Sequence, residues 1–347
     1  MTVADDTIAA ELRRQIAARA PRSLCPSEVA RALGSDWRPL MPRVRAVAAA
    51  QPWVSVTQRG RPVDARTARG PIRLALAVPD PLPFGTTGAR FVAATAAAAV
   101  WRVTQGDGTE AALKVYLRGD PGNEASGVNW LRAHSDRGAA RLLAAYGAAQ
   151  LIDWLPGPTL GDIARGGDIA RADALLGAAA ARLHTAPPPT VRGLTPQAAQ
   201  LDDLAGRSHR TDRTRALFGR ATDLGRALLD SAPADVPLHG DLHHDNVILT
   251  GDGPRVFDPK GLRGDPAYEL ANALRNPRGC STETADPARV TARIALWTPA
   301  LGVAPERLLQ WGAVKCALSI AWRGRDGAVG DDSELPRLDM LLDLAGG

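Results

Sequence analysis

Asp241, Asn246 and Asp258 are the residues of this 347-residue chain whose types and spacing most directly suggest chemistry. They stand in His239-Gly240-Asp241-Leu242-His243-His244-Asp245-Asn246 and Phe257-Asp258-Pro259-Lys260-Gly261. A phosphoryl transferase needs a carboxylate to orient or deprotonate the attacking hydroxyl. It also needs an amide oxygen and a second carboxylate to hold magnesium against nucleotide phosphates. An Asp, an Asn five residues on and an Asp twelve beyond that supply this set. Two strand-like runs, 247–250 and 255–257, flank a Gly-containing turn that returns Asp258 to the same place. His239 and His243 form an HxxxH pair. The Glu of a zinc-binding HExxH is absent, and Gly240 disfavours a helix there, so His239 reads as a loop histidine bonding backbone. No GxxxxGK[ST] phosphate loop occurs.

Lysine is rare enough to be informative. The chain has 39 arginines and 3 lysines, so a position that keeps a compact ammonium rather than a planar fork is a candidate for a specific task. Lys114 lies in the strand-like run AALKVYL and Lys260 two residues after Asp258. Lys315 lies in the apolar stretch WGAVKCALSI and reads as structural or snorkelling.

A composition of 45% hydrophobic and 23% charged residues is that of a globular protein. No apolar run is long enough for a membrane span. The start, MTVADDTIAAELRRQ, lacks the charge and apolar pattern of a signal peptide, so a cytoplasmic location is expected. Three cysteines without a CxxC pair argue against a disulfide framework or a cysteine zinc site. Residues 1–78 carry 13 arginines against 6 acidic residues, a net of +7 in a chain whose total is +5. Such asymmetry suggests domains with different partners.

The elements that must position the site follow from periodicity. Ile8, Leu12 and Ile16 mark an amphipathic helix, and further helices are expected after Cys25 and over 38–50. Strands at 53–57 and 72–74 with a turn at Arg59–Pro62 complete a winged-helix pattern. The expected organisation is a winged-helix-like domain over 1–76, a Pro/Gly-rich linker over 77–88, a small antiparallel sheet lobe over 89–156 and a helical lobe over 157–347. Strands are expected at 90–94, 100–104, 111–117 and 151–155. Helices are expected near 123–134, 137–145, 168–186 and 196–230, and through most of the chain beyond 266. The fold class is thus α+β, a two-lobed kinase-like fold preceded by a small winged-helix domain.

Residues 239–246 resemble the catalytic loop of aminoglycoside phosphotransferases and related small-molecule kinases. The string FDPKGLRGDPAYELA and the Trp311…Trp322 stretch resemble the streptomycin 6-phosphotransferase branch. The resemblance covers roughly 85–347. It implies ATP and magnesium as cofactors, Asp241 as catalytic base, and Asn246 and Asp258 as metal ligands. It further implies Lys114 as the lysine for the α/β-phosphates, Glu124 as its ion-pair partner, and Leu151, Ile152 and Asp153 as a hinge meeting adenine through backbone groups. Lys260 is placed to touch phosphate or substrate. The loop after the first strand, Thr95–Ala99, lacks GxGxxG, which speaks against a protein kinase. The implied acceptor is a small-molecule hydroxyl compound, cationic if it is an aminoglycoside. Another sugar or an amino-alcohol is the alternative. Asp265, Glu269, Asp326, Asp331, Asp332 and Glu334 are candidates for holding such a cation, and Trp297, Trp311 and Trp322 for stacking on a sugar. Residues 1–76 resemble a bacterial domain family of unknown function through SLCPSEVARAL and WRPLMPRVRAVA. There Arg38, Arg43, Arg45, Arg59 and Arg61 would serve nucleic-acid binding, in a second reading where the kinase-like lobe is a sensor.

Overall fold

A computed structural model describes residues 3–185, 187–324 and 327–346. The chain forms two compact units. One takes the residues up to Pro121 together with Leu142–Trp154; the other takes Gly122–Arg141 and the chain from Leu155 onward.

The first unit opens with α1 (Asp5–Arg19), α2 (Pro26–Leu33) and α3 (Met41–Ala49). Asp5 and Asp6 sit in the first turn of α1 and Arg19 in the last, which suits the helix dipole. Ile8, Leu12 and Ile16 are fully buried. The strands β1 (Val54–Gln58), β2 (Arg61–Pro62) and β3 (Arg73–Leu76) form an antiparallel sheet in the order β2-β1-β3. Arg43 pairs with Asp5, and Arg45 donates to Ala68 O (2.8 Å) and Gly70 O (2.7 Å). Two of the arginines expected to face nucleic acid thus have partners in their own domain, the Arg43–Asp5 pair lying at the surface.

A five-stranded antiparallel sheet follows: β4 (Thr87–Ala94), β5 (Ala98–Thr104), β6 (Glu110–Tyr116), β7 (Leu142–Tyr146) and β8 (Ala149–Asp153), in the order β4-β5-β6-β8-β7. The helix expected over 137–145 is not formed, because Leu142–Tyr146 is the edge strand paired with β8. A five-residue apolar run such as LLAAY has no period of its own, and the neighbouring strand decides its state. Alternation along the strands gives the sheet two faces. Trp101, Val103, Leu113 and Leu151 share one, in the same apolar cluster as Ile8, Leu12, Val29, Val44 and Leu74. Lys114 and Gln150, opposite each other on β6 and β8, lie on the other face.

The second unit is mainly helical. It contains α4 (Gly127–His134), α5 (Leu160–Arg165), α6 (Ile169–Leu183), β9 (Thr195–Pro196), α7 (Ala198–Ala205), β10 (Ser208–His209) and α8 (Asp212–Asp230). The helical run expected over 196–230 is broken at β10, which pairs with a strand near the C-terminus. Next come β11 (Val236–Leu238), β12 (Val247–Thr250), β13 (Gly253–Val256) and β14 (Leu262–Gly264). The chain closes with α9 (Ser281–Ala285), α10 (Pro287–Leu301), α11 (Pro305–Arg323), β15 (Ala328–Val329) and α12 (Leu335–Gly346). Every residue from Trp311 to Ala321 in α11 is buried, the mark of a central helix. Among the described residues no helix is long and apolar enough to cross a membrane.

Two outcomes follow from this packing. Removing residues 1–77 would uncover Trp101, Val103, Leu113 and Leu151, each worth about 1.5–3 kcal/mol when fully buried. The truncated chain is expected to bind a hydrophobic dye and to melt below the full chain; equal melting temperatures would show the contact to be incidental. The second concerns His134, buried and stacked on Trp130 at 4.0 Å, with Nδ1 donating to Trp130 O (2.8 Å). Burial draws its pKa down from 6.5 to about 4. Between those values the unfolded chain takes up a proton that the folded chain refuses, so stability falls as pH drops through that window, by on the order of 3 kcal/mol. His134→Phe should flatten the fall in denaturation midpoint between pH 6.5 and 4 relative to wild type.

Candidate active site

β11 and β14 pair antiparallel, Leu238 against Leu262, and bracket the whole site sequence. The loop leaving β11 carries residues 239–246; the loop entering β14 carries 257–261. Backbone bonds tie the two together: Lys260 N to His239 O (2.8 Å) and Phe257 N to Asn246 O (3.0 Å). His239 closes the link. Its Nδ1 accepts from Asp241 N (3.3 Å), so Nε2 carries the proton and donates to Phe257 O (2.9 Å). Gly240 has φ +80°, and a Cβ there would meet Leu262 Cγ at 2.6 Å. Gly261 has φ +69°, and its Cβ would meet the Ser126 carbonyl at 2.4 Å. Asp258 adopts φ +63° without being glycine. A left-handed non-glycine costs on the order of 1–3 kcal/mol and persists where the surroundings over-determine it, as functional loops do.

Asp241 projects from this frame into a cavity of about 550 Å³ whose wall includes His243, Asn272, Arg275, Lys315 and Trp322. A quarter of its side chain is exposed, enough for a small molecule to reach. Asn272 Nδ2 donates to Oδ1 (2.8 Å), and Lys315 Nζ stands 3.9 Å from the same oxygen. Arg275 donates to Asn272 Oδ1 (3.1 Å), which fixes the amide with its nitrogen toward Asp241. Burial pushes the Asp241 carboxyl up, but Lys315, His243 and Lys260 outweigh it and hold the pKa down at about 2. The carboxylate is ionised at any physiological pH.

Asn246 Nδ2 donates to Asp241 O (2.9 Å), so its Oδ1 is the amide atom left for a cation. With Asp258, anchored next to Phe257, this is a hard oxygen donor pair of the kind magnesium takes alongside phosphate oxygens. Among the described residues no group of three or more His, Cys, Asp or Glu forms a self-sufficient metal site. Lys260 Nζ donates to Glu124 Oε1 at 2.5 Å, an ion pair between the 257–261 loop and the segment leading into α4. Glu124 thus has a lysine partner within its own unit. Lys114, Leu151, Ile152 and Asp153 lie in the first unit, on β6 and β8. Leu151 and Ile152 are paired to both β6 and β7, and Asp153 stands opposite Ala111 of β6.

Several residues shape the site in other roles than the sequence suggested, among them Glu269, a candidate for holding a cation that is spent on the loop itself. Glu269, 1% exposed, accepts from His239 N (3.1 Å), Gly240 N (3.3 Å) and His184 Nε2 (2.8 Å). Burial would raise its pKa; the His184 bond and the loop amides overcome this and keep it ionised. Asp173 binds His244 (2.7 Å) and Arg293 (2.8 Å), fastening the catalytic loop to α6 and α10. Lys315, read as structural, is 2% exposed and donates to Gly240 O (3.2 Å); burial draws its pKa down to about 8. Its signal was its rarity together with four-residue spacing from Trp311, which puts both on one helix face. The acids proposed for a cation do other work. Asp265 binds Arg307 (2.6 Å) and Trp311 Nε1 (2.7 Å); Asp332 binds Arg323; Glu334 binds Arg275, Arg323 and Arg337. Asp331 is exposed, and Asp326 lies outside the described residues. The carboxylates on the cavity wall are Asp203, Asp241 and Asp245. Of the tryptophans, Trp297 and Trp311 are fully buried and only Trp322 reaches the cavity.

Residues 5–77 match a family described as a protein of unknown function (DUF3253), and residues 86–327 match the aminoglycoside/hydroxyurea antibiotic resistance kinases. A streptomycin 3''-kinase of Klebsiella pneumoniae is 36% identical over 65% of this chain and 84% of its own length. A hydroxyurea phosphotransferase of Kitasatospora aureofaciens is 32% identical over 72% of this chain and 73% of its own. A streptomycin 6-kinase of Streptomyces griseus is 32% identical over 65% and 74%. In fold the chain is similar to a choline kinase of Streptococcus pneumoniae, with TM-score 0.54 and 11% identity over 76% of this chain and 94% of that one. It is likewise similar to a thermostable mutant of an aminoglycoside phosphotransferase, with TM-score 0.53 and 16% identity over 76% and 97%. The protein-kinase-like fold, the carboxylate at the cavity and the family match agree: this chain is a small-molecule kinase belonging to the aminoglycoside/hydroxyurea antibiotic resistance kinase family.

Proposed function

We propose that the chain transfers the γ-phosphoryl group of ATP to a hydroxyl of a small cationic acceptor, with streptomycin the first candidate. The observation that carries the reading is the Asp241 carboxylate, ionised, reachable from the cavity and held on one oxygen by Asn272. Support for the acceptor comes from the streptomycin kinases among the relatives. A cationic group would find Asp203 on the cavity wall, beside the Trp322 ring whose Nε1 it accepts (2.9 Å). The hydroxyurea phosphotransferase supports a second reading with a small neutral acceptor. The mixed charge of the wall, where Arg275 and Lys315 stand with Asp203 and Asp245, suits that reading as well.

In the proposed reaction Asp241 receives the acceptor hydroxyl through Oδ2. A carboxylate held so far on the ionised side is a weak base. It therefore orients the hydroxyl first and takes the proton late, as the hydroxyl oxygen bonds to the γ-phosphorus and the bond to the ADP leaving group breaks. The proton then passes from Asp241 to solvent. Asn246 through Oδ1 and Asp258 through its carboxylate would hold magnesium, which when bound neutralises charge on the phosphate oxygens. Lys114 is proposed for the α/β-phosphates, and the β8 segment Leu151, Ile152 and Asp153 for the adenine edge. The Lys260–Glu124 pair is proposed to steady the metal loop. For residues 1–76 we propose a winged-helix-like support for the sheet. A nucleic-acid role would have to rest on Arg38, Arg59 and Arg61 alone.

Incubation with ATP and magnesium across streptomycin, other aminoglycosides, hydroxyurea and amino-alcohols, with mass spectrometry of products, is expected to yield phosphorylated streptomycin. A folded chain that phosphorylates none of them would overturn the reading. Asp241→Asn should lower turnover by on the order of 10²- to 10⁴-fold with an unchanged melting temperature.

A further inference from the structure

We propose that Lys315 is a positioning residue for phosphoryl transfer: its ammonium, clamped under the catalytic loop, fixes the rotamer of Asp241 so that Oδ2 faces the acceptor. The inference rests on the reading of Asp241 as the acceptor-facing carboxylate.

The argument begins with the cost of the residue. A buried ammonium is expensive unless an opposite charge and hydrogen-bond acceptors answer it. Lys315 lies at the middle of α11 among Val314, Cys316 and Ala317, all buried apolar positions, and is itself 2% exposed. Packing alone would be served by methionine at no such cost. The charges that bear on Lys315 are Asp241, Lys260, Arg275 and Glu269. Lys260 is paired with Glu124, Arg275 with Glu334, and Glu269 with His184 and the loop amides. Asp241 is the carboxylate that answers it.

The ammonium also has a defined seat. It donates to Gly240 O (3.2 Å), the carbonyl directly before Asp241. It lies over the rings of Tyr268 (5.2 Å) and Trp322 (5.0 Å), both within reach of a cation–π contact. Those rings are themselves held: the Tyr268 hydroxyl donates to Gln200 Oε1, and Trp322 Nε1 to Asp203 Oδ2. The cation thus sits in an aromatic clamp on the cavity side of α11, and Asn272 Nδ2 (2.8 Å) and Lys315 Nζ (3.9 Å) both stand on the Oδ1 side of Asp241. A carboxylate drawn from one side by a neutral and a charged donor presents its other oxygen in one direction. A guanidinium would overfill the clamp and fork toward both oxygens, which accounts for lysine in a chain that otherwise writes its cations as arginine.

The test uses the full chain with ATP, magnesium and streptomycin, and the crystal structure of Lys315→Met. Lys315→Met is expected to lower kcat by on the order of 10²-fold, with KM for ATP within about threefold and no loss of melting temperature. In its crystal structure Asp241 should leave the Asn272 contact. Lys315→Ala opens a space beside the cavity, and ethylammonium, but not potassium chloride at equal ionic strength, should restore part of its turnover. A Lys315→Met kcat within about threefold of wild type, an Asp241 side chain unmoved in that structure, or a Lys315→Ala turnover indifferent to the amine would each overturn the inference. If the wild-type chain leaves streptomycin untouched, the acceptor assignment fails, and the position of Asp241 in the Lys315→Met structure still decides the role of Lys315.

Discussion

The site depends on one buried carboxylate that does no chemistry. Glu269 takes the backbone N–H groups of His239 and Gly240 and the ring of His184, and so holds the stem of the catalytic loop from beneath. Backbone amides turned into a protein interior must find acceptors, and an ionised acceptor makes the stronger bond. Everything downstream inherits this constraint. Gly240 takes its left-handed turn over Leu262, Asp241 emerges at the cavity, and the His239 ring reaches across to Phe257 and sets where Asp258 begins. His244, bonded to Asp173, which Arg293 holds in turn, fixes the other end of the same loop. The loop is fastened at both ends by buried charge, and its Asp241, His243 and Asp245 reach the cavity.

The candidate site was legible in the sequence because its residues are local. Asp241, Asn246 and Asp258 fall within eighteen positions, and the hairpin that folds Asp258 back is written in the same stretch. The supporting residues were not legible, because their partners are remote. Nothing near Asn272 or Lys315 in the chain announces that both meet Asp241, from 31 and 74 positions away. Some of the acids offered as cation binders were misjudged for the same reason. Asp265 and Glu334 look available in a string of letters, but arginines from other helices occupy them. Leu142–Tyr146 was misread because five apolar residues have no period, and only pairing with β8 makes them a strand. Composition misled at Arg43 and Arg45, where a positive total hid internal partners.

The lysines show how far a rare residue type can be trusted. Their scarcity pointed to specific tasks for Lys114 and Lys260. The apolar surroundings of Lys315 argued the other way, toward a packing role. In the structure Lys260 and Lys315 both contribute to holding Asp241 ionised, and the apolar surroundings of Lys315 are the reason its single charge matters. A buried cation in a hydrophobic helix is a sign to look for the anion, wherever along the chain it lies.

The apolar face that joins the five-stranded sheet to the N-terminal helices bears on how such chains can be recombined. A kinase portion moved into another protein takes Trp101, Val103, Leu113 and Leu151 with it, and these require a cover. A host without one inherits a sticky surface.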